Sequence, residues 1–126
     1  MNKTLIERKL KMAFKYLRQF ESFDWSSFAK HKRFMTVGIA PLKDQETKEL
    51  IGTRVYVAIT QDDTPYERKE NEKGSNLFEK LVVKVPKQID VPMQVEVQLK
   101  NAVALVYGDY RNQLSVYAED IIVVEK

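Results

Sequence analysis

The sequence predicts a mainly β protein: an antiparallel sheet or small barrel of five or six short strands, preceded by one N-terminal α-helix. Three observations carry this. Apolar residues recur at every second position in short runs from residue 34 onward, the mark of half-buried strands. Polar stretches bearing Pro or Gly separate these runs, without the strand–helix alternation of a parallel sheet. A helical stripe preceded by a capping sequence stands at the start of the chain. The 126 residues divide into a basic helical arm, 1–33, and a β domain, 34–126.

In the arm, Thr4 and Glu7 fit a capping box, and a helix follows to about Phe20. Leu5, Ile6, Leu10, Ala13, Phe14, Leu17 and Phe20 form its apolar stripe, with Lys9, Lys11, Lys15 and Arg18 on much of the other side. Residues 21–33 are irregular or briefly helical. The first strand candidate is Phe34 to Ala40, closed by Pro41, and a polar stretch to Leu50 follows. The next strand is Thr53 to Thr60, where Val55, Val57 and Ile59 alternate with Arg54, Tyr56 and Ala58. Residues 61–76 are charged and aperiodic, as expected of a long exposed, mobile loop. Leu77 to Val85 is a further strand, and Pro86 and Pro92 bracket a turn region.

The last third, Val95 to Val124, is the clearest element. Val95, Val97 and Leu99 share one face of an outgoing run; Leu114, Val116 and Ala118 share one face of the return. Gly108 to Asn112 links them as a hairpin loop, and Glu119-Asp120 bends the return into a last apolar run. Five strands with long charged loops in a chain of this size suit an OB-type Greek-key barrel.

Composition narrows the function. The chain has no cysteine and one histidine, His31, so disulfides and thiolate metal sites are excluded and a zinc or copper site is disfavoured. There is no G-x-S-x-G, no Walker motif and no G-x-G-x-x-G. The carboxylate pairs Asp62-Asp63 and Glu119-Asp120 read as loop and strand-end charges, not as a metal-binding set. A non-enzymatic protein without cofactor or small-molecule substrate is expected. No apolar run approaches membrane-spanning length and no signal peptide is visible, so a cytoplasmic protein without membrane insertion is expected. The net charge of +3 is unevenly spread: nine basic and three acidic groups precede residue 34, and twelve basic and fifteen acidic groups follow. A basic arm on a near-neutral body suits an anionic partner or a neighbouring copy.

Rings and cations cluster in two places. Tyr107, Tyr110 and Arg111 sit at the hairpin tip, a surface suited to something flat and negatively charged. Trp25, with Phe23 and Phe28, is interleaved with Lys30, Lys32 and Arg33, where stacking and phosphate contact, or simple plugging of the core, are both open.

The stretch KNAVALVYG, a polar tip, then QLSVYAEDIIVV resembles the closing strands of OB-fold single-stranded-DNA-binding proteins. It is also similar to small proteins encoded on conjugative plasmids and transposons of Gram-positive bacteria, where a K-V-P strand, here Lys84-Val85-Pro86, precedes a stretch like Val95 to Ala102. The resemblance covers roughly residues 77–124. It implies sequence-tolerant binding of single-stranded DNA, with RNA left open, in plasmid or mobile-element replication or transfer. Candidate contacts are then Arg54, Tyr56, Lys80, Lys84, Tyr107, Tyr110, Arg111 and Tyr117, with Trp25, Lys32 and Arg33. A homo-oligomer is expected, with Leu10, Phe14 and Leu17 as its helical contact. The alternative is a non-enzymatic protein–protein adaptor that self-associates through that helix. A double-stranded-DNA regulator is more remote, because no helix–turn–helix pair is visible.

Overall fold

The computed structural model describes residues 23–124. The helix expected over residues 4–20, with Leu10, Phe14 and Leu17, lies outside the described residues. Asp24 starts a five-residue helix, Trp25–Ala29, by accepting hydrogen bonds from the Ser27 amide (3.1 Å) and hydroxyl (2.6 Å). Seven strands follow: β1 Lys32–Lys43, β2 Leu50–Asp62, β3 Lys80–Val85, β4 Glu96–Lys100, β5 Val103–Tyr107, β6 Gln113–Tyr117 and β7 Asp120–Val123. The protein is mainly β, as the alternation predicts. The strand count is seven where five or six are expected, and β3 pairs with β6 in parallel where an all-antiparallel sheet is expected.

The strands form one mixed sheet in the order β5-β6-β3-β2-β1-β4-β7, which is not a closed barrel. The higher strand count has a local cause. Asn101 and Ala102 separate β4 from β5, and Ala118 and Glu119 separate β6 from β7, yet the pairing from Val97↔Val123 to Tyr107↔Gln113 keeps one register throughout. β4–β5 and β6–β7 are thus the two arms of a single hairpin bent across its middle. Asn101 takes a left-handed φ of 50°, a conformation asparagine tolerates better than most residues. Its amide donates to Glu119 Oε2 (2.8 Å), and the Glu119 amide donates to the Lys100 carbonyl (2.9 Å). The outer half of this hairpin pairs with β1 through β4, and the tip half pairs with β3 through β6. The hairpin therefore reaches from one neighbour of β2 to the other.

The core lies between the β1–β2–β3 meander and this hairpin. Val55, Val57 and Ile59 of β2 meet Val83 and Val85 of β3, with Phe34, Val97, Ala104, Val116 and Ile121 from the other strands. Trp25 stacks on Phe34 with ring centroids 5.5 Å apart, which ties residues 23–29 to the sheet. Two buried threonines hold the connection from β3 to β4. Thr36 donates to the Pro92 carbonyl (2.6 Å) and accepts from the Val95 amide (3.3 Å). Thr53 donates to the Lys87 carbonyl (2.9 Å) and accepts from the Ile89 amide (3.1 Å). β1 runs through Pro41 rather than stopping there. Its pairing with β4 ends near Thr36, so the missing proline donor faces no neighbouring strand.

The stretch 61–76 is tied down at both ends. Asp62 accepts from the Thr64 hydroxyl (2.6 Å), the Tyr66 hydroxyl (2.6 Å) and the Asn76 amide (2.8 Å). Lys32 faces it at 3.4 Å with both side chains fully buried, and also donates to the Phe28 carbonyl and Thr64 hydroxyl, each at 2.9 Å. The Lys32 ammonium lies 4.0 Å from the Phe28 ring centroid, within cation–π range. Burial pushes the Asp62 carboxyl up, but the hydrogen bonds from Thr64, Tyr66 and Asn76 outweigh it and hold the group well below the usual carboxylate range.

This packing makes three outcomes testable. Gly52 lies against β3 so closely that an added Cβ would meet the Val85 carbonyl oxygen at 2.1 Å. Gly52→Ala should lower stability by about 1–3 kcal/mol, seen as a reduced urea midpoint. Lys32→Met leaves Asp62 buried without its cation and should cost about 3–5 kcal/mol in the same assay. Because the native Asp62 carboxyl is held low, its contribution is complete above the unfolded value of about 4. It is lost as pH falls from there toward the native value, so the urea midpoint should drop between pH 7 and pH 3.

Candidate functional site

The register decides which side chains share a face. Across β2 and β3, Arg54 is opposite Lys84, Tyr56 opposite Val82 and Ala58 opposite Lys80. Lys84 is beside Tyr117 on β6, and Tyr117, Ser115 and Gln113 are opposite Val103, Leu105 and Tyr107 on β5. Side chains opposite one another lie on the same side of a sheet. Arg54, Tyr56, Lys80, Lys84, Tyr117 and Tyr107, all expected as contacts, therefore share the face turned away from the core. The alternate positions, Val55, Val83, Val116 and Ala104, are buried below them.

This face is apolar as well as charged. Tyr107 is 49% exposed, Tyr117 45% and Val103 61%, with Leu105 and Val82 also open to solvent. The Lys84 ammonium lies 5.3 Å from the Tyr117 ring centroid. Tyr56 is half-buried and its ring packs on Gly38 of β1. Three cations here, Arg54, Lys80 and Lys84, form no salt bridge with a described carboxylate. The Arg54 Nε is buried without a hydrogen-bond partner among the described residues, an uncommon state for a buried donor.

β3 and β6 are paired in register at Val83↔Val116 and Lys84↔Tyr117. Toward Lys80 and Gln113 they part, and a cleft of about 780 Å³ opens between them. Arg54, Lys80, Lys84, Tyr107 and Arg111 line it, so five expected contacts converge there. Leu81, Ile59, Phe23 and Phe28 give it an apolar floor, while Asn76, Asn112, Gln113 and Ser115 supply hydrogen-bonding groups. Glu79 is the one carboxylate in the lining. A flat apolar group with an attached anion fits such a surface: rings and aliphatic carbons take the plane, cations take the charge.

The remaining expected contacts lie elsewhere. Tyr110 is 87% exposed at the hairpin tip, just after Gly108, whose φ of 92° makes the turn. Trp25 belongs to the ring cluster with Phe28 and Phe34, the core-plugging alternative. Lys32 is committed to Asp62 inside the protein and is closed to a phosphate, contrary to its expected role; the sequence neighbour Arg33 is exposed at the start of β1. The sequence reading missed Val103 and Leu105. Their signal is present in VALVY, which is apolar on both faces although only one face meets the core. The ends of the loop 61–76 also went unassigned, and Asn76 enters the cleft because Asp62 anchors its amide.

Among the described residues no three His, Cys, Asp or Glu side chains are grouped to hold a metal ion, and no helix is long and apolar enough to cross a membrane. Compared with known families, curated proteins and solved structures, the chain matches no family model, no curated protein and no solved structure.

Proposed function

We propose that this protein binds single-stranded nucleic acid, DNA in the first instance, with little sequence preference, on the outer face of β2, β3, β6 and β5. The observation that carries the reading is the shared face itself. Arg54, Lys80 and Lys84 stand beside Tyr107 and Tyr117 on adjacent strands, with a cleft between β3 and β6. Bases stack on rings whatever their identity, and lysine and arginine neutralise phosphates. Duplex stacks its bases on one another and offers no free base plane to a tyrosine, so this surface favours the single strand.

The strand pairing supports an OB-like reading of the fold. If each bent arm of the hairpin counts as one strand, the pairing runs β1, β2, β3, return arm, outgoing arm and back to β1. That is a five-stranded circuit with a parallel contact between the third strand and the return arm, the kind of partly open Greek-key barrel whose outer face and loops hold oligonucleotides. On this reading the loop carrying Tyr110 and Arg111 borders the binding face.

Fluorescence anisotropy with labelled oligo-dT and a matched duplex, at two salt concentrations, tests the proposal. Tight binding to the single strand alone is expected, with log affinity falling against log salt by about 0.7 for each phosphate neutralised. Tyr117→Ala and Tyr107→Ala should each lose about 1–3 kcal/mol of binding. Lys84→Gln should instead flatten the salt dependence by about one phosphate's worth. Absence of binding to either oligonucleotide, or affinity indifferent to salt, would overturn the reading.

A further inference from the structure

We propose that β5 is a self-pairing edge, through which two copies of this chain join their outer faces into one continuous sheet. This goes beyond the binding reading and does not require it. The Ala118 amide donates to the Lys84 carbonyl on β3. Backbone groups alternate in direction along a strand, so Val116 and Ala118 address β3 while Tyr117, Ser115 and Gln113 address β5. Their partners Val103, Leu105 and Tyr107 turn their backbone groups toward β6. Ala104 and Val106 therefore point their N–H and C=O groups out of the sheet, and no described residue bonds to them.

Natural sheets blunt such an edge with charge, proline or a bulge. The opposite edge, β7, is treated in this way: Lys87–Asp120 at 3.0 Å and Lys100–Glu119 at 3.5 Å flank its start. β5 carries no charged residue and no proline, and Val103, Leu105 and Tyr107 stand out beside its open backbone.

The occupant that fits is a second copy, running antiparallel about a twofold axis at Leu105. Ala104 of each copy then lies opposite Val106 of the other, and their outward groups can close the two pairs of ladder bonds. Beyond the strand ends, Asp109 of each copy falls opposite Asn101 of the other, beside Lys100. The centre of the seam carries no charge, and each end brings the Asp109 carboxylate toward Lys100, which Glu119 also faces at 3.5 Å. The pairing also places the two sets of Val103, Leu105 and Tyr107 side by side, extending the ring-bearing face from one protomer to the next. A seam of five residues is much smaller than the roughly 1,600 Å² of a standard stable interface, so the dimer should be reversible and concentration-dependent.

Sedimentation velocity on the full chain, over a micromolar concentration series without nucleic acid, decides the matter. The wild type should shift from monomer to dimer as concentration rises. Leu105→Lys and Leu105→Glu each place like charges across the axis and should remain monomeric. An equimolar mixture of these two variants should recover the dimer, which an unfolded variant could not do. A wild type monomeric throughout, a dimer that survives both substitutions, or a mixture that stays monomeric would each overturn the proposal. With no nucleic acid present, none of these outcomes depends on the binding reading.

Discussion

The structure turns on the bend in the Val95–Val124 hairpin. A straight hairpin could extend β1 or β3 but could not reach both, since β2 lies between them. By breaking at Asn101-Ala102 and Ala118-Glu119 without losing register, the hairpin gives its outer half to β1 and its tip half to β3. The inward valines of β2 and β3 thereby gain a second wall, made of Val97, Ala104, Val116 and Ile121. Without that wall the meander would be a three-stranded sheet with an apolar face in water, a poor proposition for independent stability. The polar contacts at the bend, Asn101 to Glu119 and Glu119 to Lys100, fix where the hydrophobic layer closes.

The candidate site is a by-product of the same geometry. β3 and β6 are brought together by the bend rather than by a direct connection, and they pair in register at two positions before diverging. The divergence leaves the cleft, whose lining includes the buried side chains of Leu81 and Ile59 together with Lys80, Lys84 and Arg54. Because the core needs only one side of these strands, the other side is free to carry cations and tyrosines. The period-two pattern that builds the core is therefore the same pattern that assembles the outer face.

Much of this was legible in the sequence, for an identifiable reason. Alternation assigns a residue to one of two faces, so Arg54 with Tyr56, and Lys80 with Lys84, could be grouped strand by strand. It does not say which strands are neighbours. That Lys84 lies between Arg54 and Tyr117 depends on register and on a parallel contact that no local signal encodes. The strand count failed for a related reason: the inward positions change phase across Lys100-Asn101-Ala102, from Val97 and Leu99 to Ala104, but residues 102–107 are apolar on both faces and hide the change. Pro41 misled in the opposite direction. Proline ends a strand where its amide is needed, and here the outer side of β1 has no partner to need it. The charged run 61–76 looked unanchored because the partners of Asp62 are fourteen residues ahead, at Asn76, and far behind, at Lys32.

Lys32 and Lys84 show why composition alone could not sort the cations. Both sit on strands, both lie near aromatic rings, and both look alike in a charge count. Lys32 alternates in phase with Phe34 and Thr36, which are buried, so it is carried into the interior with them. There an ammonium is tolerable only because Asp62, the Phe28 carbonyl, Thr64 and an aromatic face replace its water. Lys84 alternates in phase with Val82, out of phase with Val83 and Val85, and so stays on the outer face above Tyr117. One residue of phase separates a structural charge from one that can meet a ligand. The number of basic groups read from the sequence therefore overstates the cations offered to a partner by those the fold has taken inside with a carboxylate, and the register identifies which groups remain.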